Sequence, residues 1–146
     1  GKPILLVNTS LYDEQKYLLS TFDTDRFYLI GGTGAVTTTV GTELRQYGAV
    51  ERVAGSNRYT TSKAIADKFF AGGSDTIVIA SGDDFPDGLT GGPLAMSMSS
   101  PLFLVNDRNT SSAAEYVADH GLDVITVIGG TGAVSGDAAN AIAGRK

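Results

Sequence analysis

Three arginines and a tyrosine are the side chains best equipped for recognition in this chain of 146 residues. They are Arg52, Arg58 and Arg108, with Tyr59 beside Arg58. A guanidinium grips phosphate or carboxylate in a planar fork, and a neighbouring aromatic ring can stack on a sugar or a cation. The competing reading makes Arg58 an internal partner of Asp83 or Asp84. A second cluster is acidic: Ser81-Gly82-Asp83-Asp84-Phe85-Pro86-Asp87-Gly88. Its carboxylates could hold a hard cation. They could equally form a turn and a helix start, with Asp84 as N-cap, Pro86 in the first turn and Asp87 favoured by the helix dipole. The third candidate is Gly129-Gly130-Thr131-Gly132, whose backbone amides could receive an anion where a helix opens. A dinucleotide-binding loop requires a further glycine where Ser135 stands. A tight strand-to-helix turn needing positive φ is the plainer reading. His120 is the sole histidine and there is no cysteine, so neither a Ser/His/Asp triad nor a thiolate metal site is argued. No cofactor and no metal site is expected.

The elements that must position these residues follow from an internal repeat. Lys2-Pro3-Ile4-Leu5-Leu6-Val7-Asn8 returns as Ser100-Pro101-Leu102-Phe103-Leu104-Val105-Asn106, and Ile30-Gly31-Gly32-Thr33-Gly34-Ala35-Val36 returns unchanged at 128–134, both at an offset of 98 residues. The chain therefore reads as the second half of one unit, residues 1–49, followed by one complete unit, residues 50–146; the half unit and the complete unit could pack as one compact α/β body. Periodicity and apolar runs predict strands at 52–54, 76–80, 102–105 and 124–128 in the complete unit. Helices are predicted at 59–70, 86–98, 110–119 and 134–143, with Asn57 or Thr60, Asn109 or Thr110, and Ser135 as caps. The half unit repeats the last four elements as strand 4–7, helix 13–20, strand 27–30 and helix 36–47. Such alternation implies an α/β fold: a parallel sheet with flanking helices built from βα repeats. Ligands of such sheets sit beyond the carboxyl ends of the strands. The loops after 54, 80, 105 and 128 carry the residues named above.

Composition narrows the classes. The chain is 42% hydrophobic and 18% charged, which supports a buried core and excludes a disordered tail. Its net charge is −5 and no basic run occurs, so neither nucleic acid nor a membrane surface is an expected partner. No apolar run approaches the ~20 residues of a membrane-spanning helix. The opening Gly1-Lys2-Pro3, without Met, reads as the start of a fragment.

The string Glu51-Arg52-Val53-Ala54-Gly55-Ser56-Asn57-Arg58-Tyr59-Thr60-Thr61 resembles the opening of the cell-wall-binding repeat type 2, a tandem surface-anchoring module of Gram-positive bacteria. Ala80 to Leu89, Pro93-Leu94-Ala95, Pro101 to Leu104 and Ile128 to Ser135 are similar to its remaining blocks, in order. Gly88, Thr90 and Gly92 stand where the family usually has alanine, which weakens the helix at 86–98 by ~1 kcal/mol per exposed interior glycine. The resemblance implies an α/β unit of Toprim-like, broadly Rossmann-like architecture, three tandem units packed about a pseudo-threefold axis, and anchoring rather than catalysis. It implies an extracellular place at the cell wall and an anionic wall polymer of teichoic-acid or phosphate-polysaccharide type as partner. Arg58 and Tyr59 fall on one family motif and Asp83 to Asp87 on another. The expected ligand-binding residues are Arg52, Arg58, Tyr59 and Arg108, helped by Gly129, Gly130, Thr131 and Gly132. Asp83, Asp84, Phe85, Pro86 and Asp87 form the motif turn and cap. Two other classes stay open. One is a structural spacer whose units bind one another, with self-association into a homo-oligomer. The other is a metal-dependent enzyme using the strand-end carboxylates.

Overall fold

The structure is a computed structural model that describes residues 3–145. Lys2, which opens the repeated string, lies outside the described residues. Helices and strands alternate along the chain: α1 (Asp13–Thr21), β1 (Arg26–Ile30), α2 (Thr38–Leu44), β2 (Ala49–Val53), α3 (Arg58–Phe69), β3 (Ile77–Ser81), α4 (Pro86–Ser97), β4 (Leu102–Val105), α5 (Ser111–His120), β5 (Ile125–Val127) and α6 (Gly136–Ile142). The expected α/β class with parallel strands and flanking helices holds. The strands fall into two sheets. β1 pairs with β2 in parallel, and β3 lies between β4 and β5 in a second parallel sheet.

Each sheet has its own core. Ile-Val-Ile-Ala-Ser of β3 is buried on both faces, which is why it reads as a continuous apolar run without alternation. Around it pack Phe103 and Val105 of β4, Tyr116 and Val117 of α5, and Val134, Ala138 and Ile142 at the carboxyl end. Burying a Phe or Ile side chain of this kind contributes roughly 1.5–3 kcal/mol. Tyr116 also sets its ring 5.2 Å from that of Phe103 and donates its hydroxyl to the Phe70 carbonyl at 3.2 Å. The smaller core joins Leu11, Leu19, Leu29, Val40 and Leu44.

The repeat survives in three dimensions. α2 and α6 have identical bounds at the offset of 98 residues, and α1 and β1 match α5 and β5 closely. Gly31 and Gly129 both take positive φ, +115° and +95°, where a Cβ is strained. Thr37 and Ser135 both cap the following helix, accepting from the Val40 and Ala138 amides at 3.5 and 3.1 Å. These caps start the helices two residues later than the expected 36 and 134, because the chain from the glycines to the cap is turn, and α2 ends at Leu44 rather than 47, where Arg45 to Tyr47 turn toward β2.

Several expectations are corrected. Residues 4–7 form no strand, since no neighbouring strand offers them a ladder of hydrogen bonds. The first strand of the complete unit runs over 49–53, not 52–54, because pairing with β1 extends it. The N-cap position of α4 is Phe85, not Asp84; the Asp84 carboxylate instead accepts from the Phe85 amide at 2.8 Å. Thr110 occupies the N-cap of α5 without a side-chain bond, and Asn109 turns to Asn106. α4 forms through its glycines and Pro93, giving up one backbone bond at the proline.

Candidate ligand-binding site

The carboxyl ends of β3 and β4 meet the amino end of α3. The string Gly-Ser-Asn-Arg-Tyr-Thr-Thr does the positioning. Asn57 accepts from the Thr60 amide at 2.9 Å, and Thr60 Oγ1 accepts from the Asn57 amide at 3.1 Å, a reciprocal cap that fixes the first turn. Arg58 and Tyr59 are the first residues of that turn and reach over the loop after β3. Arg58 Nη1 donates to the Gly82 carbonyl at 2.5 Å. The Tyr59 ring lies so close to Gly82 that a Cβ there would sit 2.5 Å from Tyr59 Cε1. Only glycine fits.

Beyond the ring stands a polar cluster. Tyr59 OH donates to Asp83 Oδ1 at 2.8 Å. Asn106 Nδ2 donates to the Tyr59 hydroxyl at 2.7 Å and to Asp83 Oδ1 at 2.6 Å. Asn106 Oδ1 in turn accepts from the Arg108 amide at 3.1 Å and from Asn109 Nδ2 at 2.8 Å, which holds the loop after β4. The hydrogen bonds from Asn106 and Tyr59, aided by the charges of Arg58 and Arg108, hold the Asp83 carboxyl below its ordinary range. Burial, and then the hydrogen bond to Asp83 and its charge, push the Tyr59 hydroxyl up. Asp83 is thus an anion and Tyr59 a neutral donor near neutral pH, and both guanidinium groups face an anchored, ionised centre.

The structure brings Arg58, Tyr59 and Arg108 together with Asp83. Asn106 belongs with them and was not among the expected ligand residues; its place in both copies of the repeated string, as Asn8 and Asn106, is the signal that points to it. Arg58 and Arg108 are exposed, and among the described residues neither forms an ion pair with a carboxylate. Arg58 therefore does not bridge to Asp83 or Asp84; its anchor is the Gly82 carbonyl. Asp84 and Asp107 flank the cluster, with Asp107 accepting from Ser135 Oγ at 2.6 Å.

Arg52 lies elsewhere. It stands on β2, where Nη1 donates to the Gly31 carbonyl at 2.5 Å and Nη2 to the Thr37 carbonyl at 3.4 Å. It clamps the glycine turn of the preceding repeat. Gly129, Gly130, Thr131 and Gly132 follow β5, across β3 from the arginines. Their turn is closed by the Ala133 and Val134 amides on the Gly130 carbonyl, at 2.9 and 3.1 Å. Asp87 packs against Gly129, where a Cβ would lie 2.7 Å from Asp87 Oδ2. Pro86 opens α4 and Phe85 is exposed. Among the described residues no three His, Asp or Glu side chains converge as a metal-binding group, and no helix is long and apolar enough to cross a membrane.

Residues 52–139 match the family model of cell wall binding domain 2. The chain is similar to the N-acetylmuramoyl-L-alanine amidase LytC of Bacillus subtilis, 31% identical over 91% of this chain and 27% of that protein. It is also similar to an uncharacterized protein of Pyrococcus horikoshii, 32% identical over 77% of this chain and 35% of that one. It thus spans about a quarter to a third of the length of these curated relatives. The solved structure of Cwp6 from Clostridium difficile superposes with a TM-score of 0.84 at 21% identity, covering 92% of this chain and 22% of that chain, which shows a shared fold.

Proposed function

This chain belongs to the cell wall binding domain 2 family, a family of surface-protein modules at the cell wall, and on that premise we propose that it is a non-catalytic anchor whose Arg58, Tyr59 and Arg108 hold an anionic wall glycopolymer. The observation that carries this reading is the pair of exposed guanidinium groups beside an internally satisfied Tyr59–Asp83–Asn106 cluster. A backing of that kind orders the site before any ligand arrives. The two arginines stand beside the ionised Asp83 in a chain of net charge −5, so recognition rests on directed contacts to phosphate rather than on a broad positive field. Each contact is weak in water, and repeated units along one polymer add their contributions through effective concentration. Such contacts weaken as salt rises, with screening over ~8–10 Å at physiological ionic strength.

The test is cosedimentation with purified Gram-positive walls, intact or acid-extracted to remove their anionic polymers. Pelleting with intact walls only, lost at high salt, is the expected result. Arg108→Ala is the sharper variant: among the described residues its guanidinium has no hydrogen-bond partner, so it should lose pelleting with an unchanged Tm. Pelleting unaffected by that substitution would remove Arg108 from the site. Equal pelleting with extracted walls would reject the polymer.

One observation favours a second reading, a structural spacer whose units bind one another. Arg52 is spent on the turn of the preceding repeat, so at least this arginine serves cohesion between repeats.

A further inference from the structure

One side chain at the same strand ends as the two arginines has no task in the reading above. Phe85 is the most exposed of the six phenylalanines, at 73%. Single apolar side chains are common on surfaces and need no explanation. Phe85 differs in how firmly its backbone is held. The Asp84 carboxylate accepts from the Phe85 amide at 2.8 Å, and the Phe85 carbonyl accepts from the Leu89 amide at 3.1 Å. Pro86 follows directly and opens α4. The residue is fixed on both sides while its ring stays in solvent. Only two side-chain torsions are left to order when something covers that ring, which keeps the entropic cost of a contact low.

The segment carrying Phe85 is tied at both ends to the end of β4. Asp83 Oδ1 accepts from Asn106 Nδ2 at 2.6 Å, and a Cβ on Gly88 would lie 3.3 Å from Leu104 Cδ2. Phe85 lies between these ties, its Cα at most about 8 Å from that of Asp83. Arg58 and Arg108 both stand close enough to Asp83 for their charges to favour its carboxylate. Tyr59, the other aromatic of the site, is half-buried: its ring lies against Gly82 and its hydroxyl is engaged by Asp83 and Asn106. Phe85 is the freer ring. Leu89, one turn further on and 68% exposed, extends its apolar side. Asp84 Oδ1 is taken by the Phe85 amide, and among the described residues Asp84 Oδ2 has no hydrogen-bond partner.

A rigidly mounted ring, a free carboxylate oxygen and two guanidinium groups suit three parts of one ligand: the C–H face of a sugar ring, its hydroxyls and a phosphate. A polyol phosphate offers the last two and has no ring face to lay on Phe85. We infer that Phe85 is a stacking platform for a sugar within this site, so that the polymer held is a glycosyl phosphate, with the sugar ring joined directly to phosphate, rather than a polyol phosphate. Asp84 accepts a hydroxyl of that sugar while Arg58 and Arg108 take the phosphate. This rests on the polymer-binding reading and narrows it to one class of polymer.

The test measures cosedimentation of the chain with beads bearing one of two purified polymers, a poly(glycosyl 1-phosphate) or an unsubstituted poly(glycerol phosphate). The unaltered chain should favour the glycosyl polymer by roughly 10-fold, and Phe85→Ala should abolish that preference. Phe85→Trp should keep it. The chain has no other tryptophan, so the fluorescence of this variant should shift to the blue with the glycosyl polymer and stay unchanged with the glycerol polymer. Both variants should keep the original Tm, because the position is exposed. Arg108→Ala should weaken pelleting with both polymers alike. Pelleting of the unaltered chain with neither polymer would overturn the polymer-binding reading and this inference together. Equal pelleting with both, or a Phe85→Ala chain that keeps the preference, would overturn the inference alone. A lower solution mass of the polymer-free chain on Phe85→Ala would give the ring to a second copy and overturn it as well.

Discussion

One seven-residue string, Ile-Gly-Gly-Thr-Gly-Ala-Val, occurs at 30–36 and at 128–134, and the two copies fold alike while being held differently. In both, the second residue is a positive-φ glycine, and a hydroxyl cap, Thr37 or Ser135, follows directly after the string. The first is clamped by a cation, Arg52 on the Gly31 carbonyl; the second is packed by a carboxylate, Asp87 against Gly129. The turn is thus a local property of its residues, and its anchor is supplied by whichever element lies next to it. The paired segments 4–7 and 102–105 teach the converse. Their sequences are nearly interchangeable, yet only the second becomes a strand, because only there does β3 stand alongside.

That contrast can be broken most sharply at the position shared by Leu5 and Phe103. Phe103→Ala removes a fully buried ring from the main core and should cost ~3–5 kcal/mol. Leu5→Ala, at the matching but exposed place, should cost less than about 0.5 kcal/mol. Urea unfolding of the two variants measures both, and equal losses would mean that residues 3–8 already pack as a strand.

The twin glycines offer a finer comparison. Gly31→Ala and Gly129→Ala each force an alanine into positive φ, at ~1–2 kcal/mol. Gly129→Ala should cost the more, because its Cβ also meets Asp87 Oδ2 and, at 2.9 Å, Ala133 Cβ, whereas the Cβ at 31 meets only Ala35, at 3.2 Å. Thermal unfolding ranks them, and a reversed order would mean that Asp87 moves aside freely.

The smallest expected effect is acidic. Each repeat carries one carboxylate held low: Glu43, chiefly by the Leu11 amide at 2.8 Å, and Asp83, chiefly by Asn106. A carboxyl depressed in the folded state stabilises it above the ordinary value, here 4.5 and 3.8, and that contribution is lost as pH falls through the folded value. Both groups are solvent-accessible, so the loss should be small and salt-sensitive. NMR titration of the two carboxyls checks it: Asn106→Ala should raise the Asp83 midpoint and leave that of Glu43 in place.

Much of this fold is legible in the residues. The repeat, the alternation of elements and the caps Asn57 and Ser135 are written in local chemistry. What stays hidden is pairing. Nothing in Ala49–Val53 says that it joins β1 rather than β3, because the backbone ladder is the same whichever strand lies alongside. The candidate site is half legible. Arg58, Tyr59 and Arg108 stand out by type, and strand-end loops are where ligands gather. Asn106 does not stand out by type, since an amide in a loop reads as a turn residue until its partners are in place; its recurrence as Asn8 is the mark it carries.

The pairing of β1 with β2 also has a mechanical meaning. The strands run parallel, with Arg26 opposite Ala49 and Ile30 opposite Val53. The chain enters β1 at its amino end and leaves β2 at its carboxyl end. Tension drawn along the polypeptide therefore slides the two strands lengthwise against each other and loads the whole ladder at once. A pair pulled from one end would instead open rung by rung under far less force. The seam between successive repeats is oriented to resist traction, a useful property in a member of a cell-wall-binding family.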